Sequence, residues 1–174
     1  AMAFVFAVYQ EYDELNIATT LFLYTVMRSR YSSVPIILTP RGMTFGGACE
    51  MSMHVDKVVA AAETYTGLVE FGVGIIPAGA GTKEMTLRAS EAFLKDDVKL
   101  NRLRDSFINI AMAKVATSAH EAFDLGFYQH GKDLVVVNAN RQIATAKKYA
   151  LQLLDDGYTQ PTPKKVKVLG QQAL

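Results

Sequence analysis

Tryptophan is absent from this chain, and cysteine occurs once, at Cys49. A single thiol excludes an internal disulfide and fits a reducing compartment, so a cytoplasmic location is expected. Histidine is scarce, and His54, His120 and His130 stand far apart. Neither a Cys-x-x-Cys nor a His-Glu-x-x-His pattern occurs, so no metal site is expected. No charge excess exists either: 18 basic residues face 17 acidic ones, and no global field calls for nucleic acid. Long hydrophobic runs are missing too. The apolar start lacks the basic region of a signal peptide, and Gln10, Glu11, Asp13 and Glu14 interrupt it too early for a membrane span.

What is present fits one domain with a sizeable core: 174 residues, half of them hydrophobic. The domain is expected over residues 1–157. Residues 158–174, which contain Pro161 and Pro163, read as a tail or linker. The chain as a whole is expected to be a piece of a longer protein.

Apolar residues at three- and four-residue spacing over 4–31 predict one long helix or two in succession, stopped before Pro35. Residues 35–39 read as a short buried strand, and residues 46–54 as a helix whose first turn carries paired glycines. Residues 56–61 and 65–69 read as two further strands, and residues 82–89 as a helix. The charge-rich segment 91–106 reads as solvated surface. Helices are expected at 107–115 and 118–125, the second with a Ser118/Glu121 capping box and a stop at Gly126. A strand at 134–137 and an amphipathic helix at 141–154 complete the pattern. Strands alternating with helices at these lengths indicate an α/β fold.

Two carboxylates stand out from this framework. Glu50 lies in Gly46-Gly47-Ala48-Cys49-Glu50-Met51. Glu70 precedes Phe71-Gly72-Val73-Gly74-Ile75-Ile76-Pro77-Ala78-Gly79-Ala80-Gly81-Thr82. Each sits alone in glycine-rich, apolar surroundings, where a carboxylate is costly without a partner or a task. Two such groups can serve as general acid and general base when their environments separate their proton affinities. The two are expected to face one cavity, far enough apart to admit a water. The glycines supply backbone N–H groups that can approach an oxyanion unobstructed.

The glycines match neither common nucleotide motif. From Gly72 the pattern runs Gly-x-Gly-x-x-Pro, not the dinucleotide fingerprint, and no acidic residue is placed for a ribose. Gly81-Thr82-Lys83 reverses the order that a P-loop needs.

Taken together, the two clusters resemble the crotonase superfamily, the enoyl-CoA hydratases and isomerases. That family's order is Gly-Gly-Gly-Cys-Glu-Leu, an Asp opening a strand, a Glu, an Ile-Pro turn and Gly-Gly-Thr. Here Gly42, Gly46-Gly47-Ala48-Cys49-Glu50-Met51, Asp56, Glu70, Ile76-Pro77 and Gly79-Ala80-Gly81-Thr82 follow in that order. Arg88 and the segment Glu121-Ala122-Phe123-Asp124-Leu125-Gly126 also resemble family features. The match is good over residues 34–126 and looser in the flanks. Tyr31-Ser32-Ser33, the stretch from Val58 to Tyr65 and that from Val135 to Lys147 resemble the hydratase part of bacterial bifunctional fatty-acid oxidation proteins. There, a 3-hydroxyacyl-CoA dehydrogenase domain precedes the hydratase.

The resemblance implies a ββα spiral core, truncated at its N-terminus, with C-terminal helices packed on the core or on a neighbouring subunit. It implies hydration of 2,3-trans-enoyl-CoA thioesters in fatty-acid β-oxidation. Glu50 would activate the water, Glu70 would exchange the α-carbon proton, and the Gly47 N–H would bond the thioester oxygen. Gly46, Pro77, Ala78 and Gly79 would line the substrate site. No metal or redox cofactor is implied, because coenzyme A arrives as part of the substrate.

Three positions depart from the pattern: Ala48, Ala78 and Ala80 stand where the family has glycine. The family's first oxyanion donor and much of its CoA cradle lie in a loop expected upstream of Ala1, so weak or no activity is expected of the 174 residues alone. A homo-oligomer is expected, because missing core strands would leave an apolar face or edge uncovered. An enoyl-CoA isomerase, which needs a proton shuttle but no water, and a non-catalytic assembly domain are the alternative readings.

Overall fold

Two corners in the chain path organise the structure, a computed structural model that describes residues 2–94, 98–166 and 168–173. The first corner lies between strands β1 (Ile37–Leu38) and β2 (Gly42–Phe45), the second between β3 (Lys57–Ala61) and β4 (Thr64–Gly67). β1 pairs in parallel with β3, and β2 in parallel with β4. The chain thus passes twice through the same step, from a three-stranded sheet of order β1-β3-β5 to a two-stranded one. β5 (Leu134–Val136) adds to β3 with Val59 opposite Leu134.

Hydrogen bonds to backbone carbonyls fix the corners. The Pro40 carbonyl accepts from the Ala61 N–H at 3.0 Å, the Thr64 hydroxyl at 3.1 Å and the Gln142 amide at 2.7 Å. Two aspartates fasten strand starts. Asp56 accepts from the Ile36 N–H and from the Tyr158 hydroxyl. Asp133 accepts from the Val58 and Gln129 N–H groups.

Helices cover the sheets. The N-terminal stretch forms α1 (Met2–Val8) and α2 (Tyr12–Arg30), the two-helix alternative. α3 (Gly47–His54) buries Cys49 and Met53 against Val58, Ala60, Leu68 and Met85. α4 (Gly81–Glu91) packs beside α3, and α7 (Gln142–Asp155) lies on β1 and β3 of the core. Among the described residues, no helix is long and apolar enough to cross a membrane.

Several boundaries differ from those read in the sequence. β2 was not anticipated: its four residues alternate weakly and carry a glycine, so only its pairing to β4 reveals it. The expected helix at 107–115 is α5 (Lys99–Ala111), which takes in much of the charged segment. Those charged positions are indeed exposed, but on a helix; residues 95–97 lie outside the described residues. α6 (Glu121–Asp124) is shorter than expected. Its capping is half as read: Ser118 accepts from the Glu121 N–H at 3.1 Å, while the Glu121 carboxylate caps Thr117 instead. Gly126 does stop the helix, with φ +78°. The tail is tied to the body by Tyr158, through Asp56, and by an exposed Lys164–Glu91 ion pair.

Candidate active site

Gly46 turns the chain from β2 into α3 with φ +56°, a left-handed conformation that glycine adopts without strain. Its N–H bonds the Gly67 carbonyl at 2.9 Å, so it is committed to the fold and is no donor to a ligand. What Gly46 contributes is space. A methyl there would lie 2.9 Å from Glu70 Oε1. Gly47 opens α3, and its N–H has no acceptor within the helix and lies at the positive end of the helix dipole.

Glu50 projects from the first turn of α3 and is 2 % exposed. Its Oε1 accepts from the Gly81 N–H at 2.9 Å. Gly81 begins α4, so the start of one helix anchors the carboxylate of another. Burial pushes the Glu50 carboxyl up to about 7; the Gly81 and Gly79 N–H groups oppose the rise, and the charge of Glu70 adds to it.

Glu70 opens a 3-10 turn (Glu70–Val73) at the end of β4 and is 9 % exposed. Its Oε2 is buried with no hydrogen-bond partner. Burial raises its carboxyl as well. A buried carboxylate oxygen without a partner is unusual and points to a ligand or a reacting proton.

The Pro77–Gly81 turn closes the site. Pro77 is buried, and its carbonyl receives the Thr82 N–H at 3.3 Å. Ala78 is exposed, with its N–H bonded to the Ile76 carbonyl. Gly79 is packed so tightly that a methyl on it would strike both Glu50 Oε2 and the ring of Phe22. The structure therefore gathers Gly47, Glu50 and Gly79, places Gly46 against Glu70, and leaves Ala78 facing outward.

Phe22, from α2, and Gly81, as the donor to Glu50, were not picked out in the sequence. Phe22 is one of many apolar residues in a helical pattern, and nothing local marks it. Gly81 belongs to the second glycine cluster, but only folding brings it to Glu50. Ala80 carries a cost that its motif explains. It stands in the left-handed region, φ +78°, where the family has glycine. Ala80→Gly is expected to raise stability by about 0.5–1 kcal/mol, because glycine removes the steric cost at the price of a more flexible unfolded chain. A higher urea midpoint at unchanged slope would show it.

A groove of about 370 Å³ lies at the other end of α3, beside His54, Arg30, Lys83 and Glu84, and is lined by neither Glu50 nor Glu70. Its floor is a buried charge network. Glu84, 2 % exposed, takes Arg30 through both carboxylate oxygens and Arg88 at 2.9 Å. Arg88 also donates to the carbonyls of Met53, Gly126 and Phe127. His54 donates from Nδ1 to the Glu50 carbonyl at 2.7 Å, and burial lowers its ring to about 4.

The overall path matches known structures. An enoyl-CoA hydratase from Bacillus anthracis superposes with a TM-score of 0.65 over 83 % of this chain and 49 % of its own, at 23 % identity. This chain has the crotonase fold. A second enoyl-CoA hydratase, from Polaromonas sp. JS666, matches the crotonase fold of this chain with a TM-score of 0.64 over 88 % of it and 53 % of the solved chain, at 19 % identity. In sequence, the chain is 37 % identical over 158 residues to a Bacillus subtilis protein named "Probable 3-hydroxyacyl-CoA dehydrogenase". That match takes in 91 % of this chain and 20 % of the relative, so the chain spans a fifth of the relative's length. No protein-family model matches the chain. The resemblance to crotonases read from the two glycine clusters stands, and with it the spiral of repeated strand steps.

Proposed function

We propose that the chain carries the acid–base centre of an enoyl-CoA hydratase, adding water across the 2,3-trans double bond of an enoyl thioester in fatty-acid β-oxidation. The observation that carries this reading is the pair of buried carboxylates, Glu50 packed against Gly79 and Gly81 and Glu70 against Gly46, the second with an oxygen that no protein group satisfies.

Chemically, ionised Glu50 takes a proton from water as its oxygen bonds the β-carbon. The π electrons move toward the thioester carbonyl, and the enolate oxygen is held by the Gly47 N–H. Protonated Glu70 then delivers a proton to the α-carbon, giving the 3-hydroxyacyl thioester. Burial raises both carboxyls, that of Glu50 to about 7, and the charge of Glu70 adds to the rise at Glu50, so the pair ionises in two steps and passes through a state with one proton between them. No metal or redox cofactor enters these steps; coenzyme A comes with the substrate. The second oxyanion donor is assigned to the part of the hydratase fold that this chain does not span, and a dehydrogenase domain is proposed to accompany it in the whole protein. Retention of both carboxylates supports hydration over double-bond isomerisation, which needs no water-activating base.

The test is the loss of crotonyl-CoA enoyl absorbance with product analysis, using the chain alone and a protein that includes the rest of the hydratase fold. Hydration is expected from the longer protein, with the chain alone slower by about a hundredfold or more for want of one donor. Equal rates from the two would overturn the assignment of that donor. Isomerised product without hydration would overturn the reaction.

We also propose that the chain self-associates. α2 buries only Val26 fully and leaves Tyr12, Ile17, Leu21 and Tyr24 exposed, more apolar surface than a free helix tolerates. Sedimentation equilibrium is expected to show a mass above 19.1 kDa; a clean monomer at high concentration would contradict it.

A further inference from the structure

Phe22 reaches the candidate site from α2, an element outside both glycine motifs. Its ring tip faces Gly47: a methyl on that glycine would lie 3.0 Å from Phe22 Cζ and 3.5 Å from both Cε atoms. Its edge faces Gly79, where a methyl would strike Cε1 of the ring and Oε2 of Glu50 together. The ring is therefore wedged between the two glycines and beside the Glu50 carboxylate. At Gly79 a side chain would force the ring or the carboxylate to move, and at Gly47 it would press on the ring tip.

We propose that Phe22 is a positioning residue: its ring covers the Oε2 side of Glu50, excludes bulk water from that carboxylate and fixes it against the N-terminus of α4. Oε1 is already held by the Gly81 N–H. The Oε2 side has the Gly79 backbone beneath it and the aromatic edge beside it. Removing the ring would open that side to water, and hydration favours the ionised form.

The other groups around Glu50 do not replace this cover. The 3-10 turn presents Glu70, whose charge acts on Glu50. Its own helix contributes the neighbouring Cys49 thiol and His54, whose Nδ1 bonds the Glu50 backbone carbonyl. From α4 come the Gly81 N–H and, toward the His54 end, Lys83 and Glu84. α2 presents Phe22 at the carboxylate. The proposal deepens the hydratase reading, on which it rests for its catalytic meaning, but the carboxyl's protonation can be read without any turnover.

The experiment is a carbon-13 NMR titration of the chain with carboxyl-labelled glutamate, Glu50 being assigned by Glu50→Gln. In the unaltered chain the Glu50 midpoint is expected near 7. Phe22→Ala is expected to lower it by about one pH unit or more, a tenfold stronger acid, with a smaller change at Glu70. Phe22→Gln, which keeps length but adds polarity, is expected to lower it likewise and serves if the alanine variant does not fold. Phe22→Leu, which keeps an apolar cover, is expected to retain most of the elevation. An unchanged midpoint in the glutamine variant, or an equal fall in the leucine variant, would overturn the proposal. Neither result would bear on whether the site hydrates enoyl thioesters, which the absorbance assay decides.

Discussion

Glu50→Gln is expected to abolish most hydration while stabilising the fold. In a protein carrying the complete hydratase fold, the rate should fall by about a thousandfold, in the range that general acid–base groups contribute. The same change should raise stability above pH 7 by about 2 kcal/mol. The sign follows from linkage. The folded carboxyl titrates at about 7 and the unfolded one near 4.5. Between those values the folded chain holds a proton that the unfolded chain has released, so stability falls as pH rises through this window. Above pH 7 the full penalty, about 3 kcal/mol, is in place. Glutamine escapes it, losing about 1 kcal/mol of the gain to an amide N–H₂ with poor partners. Below about pH 4.5 the advantage should reverse, leaving the glutamine variant about 1 kcal/mol the less stable. His54 titrates in the opposite sense, its lowered ring favouring unfolding as pH falls below 6.5, but it is common to both proteins and cancels in the difference. Urea midpoints of the two proteins from pH 4 to 8 read the effect directly. A variant that is both inactive and equally destabilised at all pH values would mean that Glu50 is simply structural.

Glu84→Gln is expected to be the most damaging single change to the fold, at about 3–5 kcal/mol. Glu84 is the hub on which Arg30 and Arg88 converge, and those guanidiniums are only 17 % and 11 % exposed. Their charges hold its carboxyl below the usual carboxylate range against the burial that would raise it. A neutral amide leaves two half-buried cations without their counter-charge. Arg88 would then lose its footing under the Met53, Gly126 and Phe127 carbonyls. The damage should reach the site, because Glu84 lies one turn from Gly81 and fixes the end of α4 that anchors Glu50. The expected readout is a sharply lower urea midpoint. Because the folded carboxyl is depressed, the stability that Glu84 confers is present above its unfolded value and lost as pH falls through its folded one. The gap between the two proteins should therefore close in acid.

Most of this site was legible in the sequence because its chemistry is local. The turn into α3 needs Gly46, the helix start needs Gly47, and one turn later Glu50 stands on the inner face. Those spacings are set within single elements. What was not legible depends on chain segments meeting. The Gly81 anchor joins residues 31 positions apart. Phe22 reaches the site from a helix most of whose large apolar residues are exposed, so its apolar pattern does not single it out. Gly67 carried no signal at all, yet a methyl on it would collide with the backbone of the loop that reaches Ala116, so the close approach of two strand-like segments requires it. Strand β2 was missed for the same reason, because pairing rather than pattern defines it. The dense charges after Glu91 do mark solvated surface, as read; that part of it is a helix, α5, was not legible, because exposed charges sit equally well on helix or loop.

The most direct test of the account is the rate of crotonyl-CoA hydration by the complete hydratase-containing protein with Glu50→Gln and with Glu70→Gln. The account predicts losses of about a thousandfold in each, with the fold retained and no hydrated product formed by a compensating route. Unchanged rates in both variants would contradict it.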